Sequence, residues 1–188
     1  MSRAALPQDY ILNAGTLVDD FETIGDWSAP GSYNSIEANT EQFVEGTQSM
    51  KSIALTPGGE PYGEGLIRLR INYEPVEDFS VQGSGFHLWF YLHTAVATLK
   101  EYIITFSTEA GVSYYSRAVA GTLIVQGWNH IFFNKAIFTP TGAPSWSSIL
   151  RIDISFEAEN GEMLVVSVDD LRMSTERIPK VLITFDDG

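Results

Sequence analysis

The chain has no cysteine. Disulfides and thiolate metal centres are therefore excluded, and the redox compartment stays open. Basic residues are scarce: 11 Lys and Arg face 24 Asp and Glu, for a formal charge of -13. Such a surface repels phosphate backbones and anionic lipid, so neither nucleic acid nor a membrane is an expected partner. A divalent cation is a better match. Histidine is limited to His87, His93 and His130. No apolar run approaches the ~20 residues of a spanning helix. Residues 1–7 hold no apolar core of signal-peptide length. No glycine-rich loop sits between a strand and a helix, and no Gly-x-Ser-x-Gly is present. Nucleotide binding and serine-hydrolase chemistry are not expected. No segment keeps a helical period over a helix's length.

What is present is alternation. The 188 residues are 44% hydrophobic, enough for one domain with a real core. The stretch GFHLWFYLH over residues 85–93 puts Phe86, Leu88, Phe90 and Leu92 on one side of a strand. His87, Trp89, Tyr91 and His93 fall on the other. Residues 66–71 and 149–156 alternate in the same way. Strands are also expected at 17–22, 49–55, 102–107, 112–117, 122–125, 127–133 and 163–173. Many short strands separated by turns predict an all-β fold, a two-sheet antiparallel β-sandwich of jelly-roll type. Residues 1–15 read as an extended lead-in, 16–173 as the sandwich, 174–180 as a linker and 181–188 as a new apolar strand.

The non-core side of these strands carries chemistry. Arg68, Arg70, His87, Trp89, Tyr91, Arg151 and Asp153 all fall there. If their strands are neighbours, they form one polar and aromatic face. Rings would stack on pyranose C–H surfaces, and Arg and Asp would bond hydroxyls or an acidic group. A rival site is the loop edge, where Trp27, Tyr33, Tyr62 and Trp146 would gather. Trp128 is expected in the core, ahead of Ile131 and Phe133. Only one of Tyr114 and Tyr115 can face outward. A catalytic groove built on Tyr91 with His87 or His93 is the weakest reading.

Three motifs then line up: Val18-Asp19-Asp20-Phe21-Glu22 followed by Trp27; Glu45-Gly46-Thr47-Gln48-Ser49-Met50-Lys51; and Val168-Asp169-Asp170-Leu171 near the end. Over residues 16–173 this order resembles the jelly-roll carbohydrate-binding modules. The resemblance implies a polysaccharide partner and a structural calcium ion. Its ligands would be Asp20, Glu22 and Asp169, with carbonyls near residues 46–51. The last five residues, Thr184-Phe185-Asp186-Asp187-Gly188, resemble the first motif of polysaccharide deacetylases of carbohydrate esterase family four. That implies Asp186 as a general base and Asp187 as a ligand of a divalent metal. The histidines that complete such a site are absent from this sequence. The expectation is the first strand of a catalytic domain lying downstream, where alone the divalent metal belongs, and a chain that by itself hydrolyses nothing. The expected role is a non-catalytic module that targets a deacetylase to a polysaccharide. The expected location is extracellular, at a cell surface or on a virion. The alternative is a structural or adhesion domain without sugar affinity, as in a phage tail.

Overall fold

The computed structural model describes residues 15–31, 34–54, 65–81 and 84–174. Twelve strands run in chain order: β1 (Thr16–Asp19), β2 (Trp27–Ser28), β3 (Asn34–Asn39), β4 (Ser49–Ala54), β5 (Leu66–Glu77), β6 (Gly85–Leu92), β7 (Leu99–Glu109), β8 (Ser113–Ala120), β9 (Gly127–Asn134), β10 (Thr139–Thr141), β11 (Ile149–Ala158) and β12 (Val165–Ser174). They form two antiparallel sheets. The first has the order β3-β4-β12-β6-β9, with β1 also on β12. The second has the order β10-β8-β7-β11-β5-β2. This is the expected β-sandwich, and its only helical segments among the described residues are short 3-10 turns.

Alternation drives the packing. From β6, Phe86, Leu88, Phe90 and Leu92 point inward and are almost fully buried. They meet Ile67 and Leu69 of β5, Phe106 of β7, and Ile154 and Phe156 of β11, all in one core. Phe86 and Phe106 stack across the sheets at 4.3 Å, and Phe90 meets Phe156 edge-on at 5.2 Å. Each such ring contributes roughly 1.5–3 kcal/mol by leaving water.

One irregularity matters more than the rest. On β12, Val166 and Val168 face the core, and so do Leu171 and Met173. Strict alternation forbids that combination, because the two pairs differ in parity. Against β6 the register runs Asp169↔Trp89 and then Arg172↔His87, which leaves one extra residue on β12. Asp170 takes it up with φ +48°. This bulge turns the strand back to its apolar face. It also lets Asp169 point outward although Leu171 points in. At the same place β12 changes partner: residues 165–168 pair with β4, and 171–173 pair with β1.

Some expectations need correction. Residues 122–125 are not a strand: Gly121–Leu123 is a 3-10 turn, and β8 runs on to Ala120. Trp27 belongs to a two-residue strand on β5, and the loop at 138–147 contains β10, which pairs with β8. Trp128 is not in the core: Asn129 and Phe133 face inward on β9, and Trp128 lies on the outer side, half-buried. Residues 175–188 lie outside the described residues, so Asp186, Asp187 and the strand preceding them do too. Replacing Phe90, which has no exposed surface, with Ala should lower unfolding stability by about 3–5 kcal/mol. Urea denaturation followed by tryptophan fluorescence measures it.

Candidate functional site on the outer sheet faces

The expected single face is in fact two. Arg68, Arg70, Arg151 and Asp153 lie on the outer side of the second sheet, on β5 and β11. His87, Trp89 and Tyr91 lie on the outer side of the first sheet, on β6. The two groups point away from each other across the core. Alternation distinguishes inside from outside; it does not say which sheet a strand joins.

On the second sheet the register builds three polar rows across β5, β11, β7 and β8. They are Arg68–Ser155–Ile103–Ala118, Arg70–Asp153–Thr105–Ser116 and Asn72–Arg151–Ser107–Tyr114. Asp153 is the hinge of the group and is 8% exposed. Its Oδ1 accepts from Arg70 Nε at 2.7 Å, and its Oδ2 lies 3.1 Å from Arg151 Nε. The second contact is an ion pair whose alignment falls short of a hydrogen bond. The carboxylate thus fixes two guanidinium groups. Their terminal N–H groups make no hydrogen bond among the described residues. The small side chains of Ser107 and Ser155 leave the floor low. Tyr114 closes the third row, and among the described residues no other ring packs against it. Its neighbour Tyr115 turns inward, stacks on Trp146 at 4.1 Å and donates to the Pro144 carbonyl. The sequence leaves the choice between these two tyrosines open, and the packing of Trp146 decides it.

On the first sheet the outer rings use up one another's surfaces. Trp89 lies on His130 at 4.5 Å and His87 on Phe132 at 4.6 Å. His87 and His130 are nearly parallel, 6° apart, and joined through Nδ1 and Nε2 at 3.1 Å. Trp128 stands edge-on to both Trp89 and Tyr91. As a result Trp89 keeps only 8% exposure and His87 2%. A sugar finds no free ring face on Trp89. His87 and Trp89 therefore leave the expected sugar site as part of a self-packed layer, while Tyr91, half-buried, meets His93 and the edge of Trp128. The rival loop edge loses two of its four rings. Trp27 stacks on Phe21 at 5.0 Å and Trp146 packs into the core, while Tyr33 and Tyr62 lie outside the described residues.

The acidic cluster sits at the β12 bulge. Asp169 Oδ2 accepts from the Val44 N–H at 2.5 Å and from the Glu45 N–H at 3.3 Å. Asp170 accepts from Arg172 Nε at 2.5 Å, and Arg172 also bonds Glu45. Glu22 accepts from the Thr47 N–H, the Thr47 hydroxyl and the Gln48 N–H at 2.7, 2.7 and 3.0 Å. Residues 44–48 are thereby pinned into the gap between β4 and β1. Gly46, at φ +70°, lies so close that a Cβ would run into Glu22 Oε1. The calcium trio needs correcting here. No three acidic or imidazole groups converge on a common point among the described residues. Asp20 accepts from the Glu22 N–H, and Glu22 is engaged by the loop. Asp169 is the one described carboxylate with a buried oxygen, Oδ1, that has no hydrogen-bond partner.

No family model matches the chain, and no curated protein matches it. Solved structures do. One is a family 11 carbohydrate-binding module from Clostridium thermocellum in complex with a β-1,3-1,4-mixed-linked tetrasaccharide. It is 14% identical with TM-score 0.57, over 86% of this chain and 96% of that one. A family 30 carbohydrate-binding module matches at 11% identity and TM-score 0.57, over 98% of this chain and 95% of that one. A third is a structure described for the promiscuous specificity of carbohydrate-binding modules of the β-sandwich superfamily. It is 17% identical with TM-score 0.59, and the match spans 86% of this chain and 63% of that one. The chain has the fold of a carbohydrate-binding module. At these identities the likeness is one of fold, and a binding site must be found in this chain's own side chains.

Burial raises the carboxyl of Asp169 to about 7, against the N–H groups of Val44 and Glu45. Burial likewise raises Asp170 to about 6 despite Arg172, and Asp19 to about 6 despite the Phe21 N–H. A carboxyl with a raised folded-state pKa binds its proton more tightly folded than unfolded. Its contribution to stability is fully present below the unfolded value and is lost as pH rises through the folded one. In chelator, the midpoint of thermal unfolding should therefore rise as the pH is lowered from about 7.5 to about 5. A scan of midpoint against pH checks the sign.

Proposed function

We propose that this sandwich is a non-catalytic carbohydrate-binding module that holds a polysaccharide across the outer face of its second sheet. One observation carries the reading. Nearly buried Asp153 holds Arg70 and Arg151 in place on this outer face, and the row of Arg151 runs through Ser107 to Tyr114. Groups already fixed lose little freedom on binding, so their hydrogen bonds convert to affinity efficiently. Thr105 and Ser116, both partly exposed, add hydroxyl partners along the row of Arg70 and Asp153. The fold shared with carbohydrate-binding modules supports the same role. A module of this kind works by tethering: it holds an attached catalytic domain at high effective concentration over its polymer. A polysaccharide ligand favours an extracellular, cell-surface or virion location.

The attached enzyme we propose is a polysaccharide deacetylase. The support is the sequence Thr184-Phe185-Asp186-Asp187-Gly188 after an apolar stretch. Asp186 would serve as general base and Asp187 as a metal ligand in that enzyme. Reading the coding sequence downstream of Gly188 tests it. A His-x-x-x-His within a domain's length is the expected result, and its absence removes the deacetylase.

Calcium remains in the proposal in a narrower form. The ion would be structural and would take Asp169 Oδ1 as its carboxylate ligand, with backbone carbonyls beside it. It would offset the negative charge buried at the bulge. A chelator should then lower the melting midpoint of the wild-type protein, and added calcium should restore it. Asp169→Asn should no longer respond to either.

The binding face has its own test. Affinity electrophoresis against a panel of polysaccharides should show retardation of the wild type. Arg151→Ala and Tyr114→Ala should each weaken it roughly tenfold or more, the scale of a lost charged hydrogen bond or stacked ring. Trp89→Ala should melt earlier yet still bind. Loss of binding in Trp89→Ala with retention in Arg151→Ala would move the site to the other sheet.

A further inference from the structure

We propose that the polysaccharide held on the second sheet is anionic, carrying carboxylate or sulfate groups along its chain. This rests on the binding face proposed above and names its ligand class. The charge distribution points there. The chain carries only 11 basic residues and a formal charge of -13. Three of the 11, Arg68, Arg70 and Arg151, project from adjacent rows of one sheet face. A single carboxylate, Asp153, lies among them, so this patch has two positive charges in excess. Arg68 has no acidic partner among the described residues. Its cross-strand neighbour is Ser155, and its row continues through Ile103 and Ala118.

Neutral sugars do not need that arrangement. Hydroxyls are served by amides, serines and a carboxylate such as Asp153, and a bare guanidinium is costly in a half-buried position unless an anion meets it. Guanidinium recognises carboxylate and sulfate in forked geometry, through paired N–H groups that an ammonium lacks. The acids on this face mark where the ligand's charges cannot go. Glu157 and Glu101 lie opposite each other one row beyond Arg68, and Glu157 is paired with Lys100 at 2.6 Å. Two residues along a strand is about 7 Å, inside a Debye length, so that end repels an anionic chain. The anionic groups are thereby directed to the rows of Arg68, Arg70 and Arg151, with Tyr114 beside the last. In a protein that is acidic almost everywhere else, the patch also steers: it is where an acidic polymer can approach.

The experiment uses matched glycans. Isothermal titration is run with polygalacturonate and with the same polymer after carboxyl reduction, and with κ-carrageenan, whose only charges are sulfate esters, before and after desulfation. The expected result is binding to at least one acidic form, at least tenfold weaker binding to its neutral counterpart, and affinity that falls as salt is raised. The two pairs separate carboxylate from sulfate as the recognised group. Arg68→Gln should weaken binding to the acidic form several-fold. Lys51→Gln removes the same charge on the other sheet, where Lys51 pairs with Glu37, and should leave it unchanged. Equal affinity within both pairs would overturn the anionic class while keeping the carbohydrate-binding module. No binding to any of the four, or to the wider panel, would overturn the module reading itself.

Discussion

The structure depends on one extra residue in its last strand. Without the bulge at Asp170, β12 could not keep both Val168 and Leu171 in the core. Either half of the strand would turn its apolar side outward, and a one-residue slip would cost every inward contact beyond it. The bulge resolves that conflict and produces the acidic cluster as a by-product. Two consecutive aspartates are held at a point where the sheet changes partner from β4 to β1. Their N–H and guanidinium partners come from residues 44–45 and Arg172. Fold and charge are therefore settled at one place, on the opposite sheet from the face that carries the arginines.

The two outer faces illustrate opposite uses of similar strands. On the first sheet, large rings stand next to large rings, and each covers its neighbour. The result is a sealed layer in which ring area is already taken up by packing. On the second sheet, large side chains alternate with serine and threonine. Low neighbours leave the guanidinium edges and the Tyr114 ring open. Composition alone would favour the aromatic face for a sugar. Availability of ring surface, not its amount, favours the polar one.

Much of the fold is legible in the sequence because alternation is a local signal. It places residues 85–92 and 151–156 correctly, down to which side faces the core, whereas a register shift at the start of β11 buries Ile149 in place of the Leu150 that strict alternation expects. What the sequence cannot supply is the partner of each strand. His87 and Arg151 both read as outward, and both are; only the pairing of β11 with β5 and of β6 with β12 separates them. Trp128 misleads because its size suggests burial, whereas its register opposite Tyr91 puts it outside. The acidic motifs occur in the expected order, yet among the described residues only Asp169 keeps a buried carboxylate oxygen without a hydrogen-bond partner. Whether a carboxylate is taken up by a loop's N–H groups, as Glu22 is, depends on a tertiary contact with no sequence period.

The pairing of β1 with β12 has a mechanical side. Thr16 lies opposite Met173, so the chain enters and leaves the sandwich at one corner. Whatever precedes and follows departs from almost the same point in space, and a force applied through both ends loads that short pair first. Its rungs would break in sequence, as a zip opens, and not all together. The rest of the sandwich, tied by longer ladders, would be spared until β1 had peeled away. A domain loaded in this manner yields at its terminal strand before either outer face is disturbed.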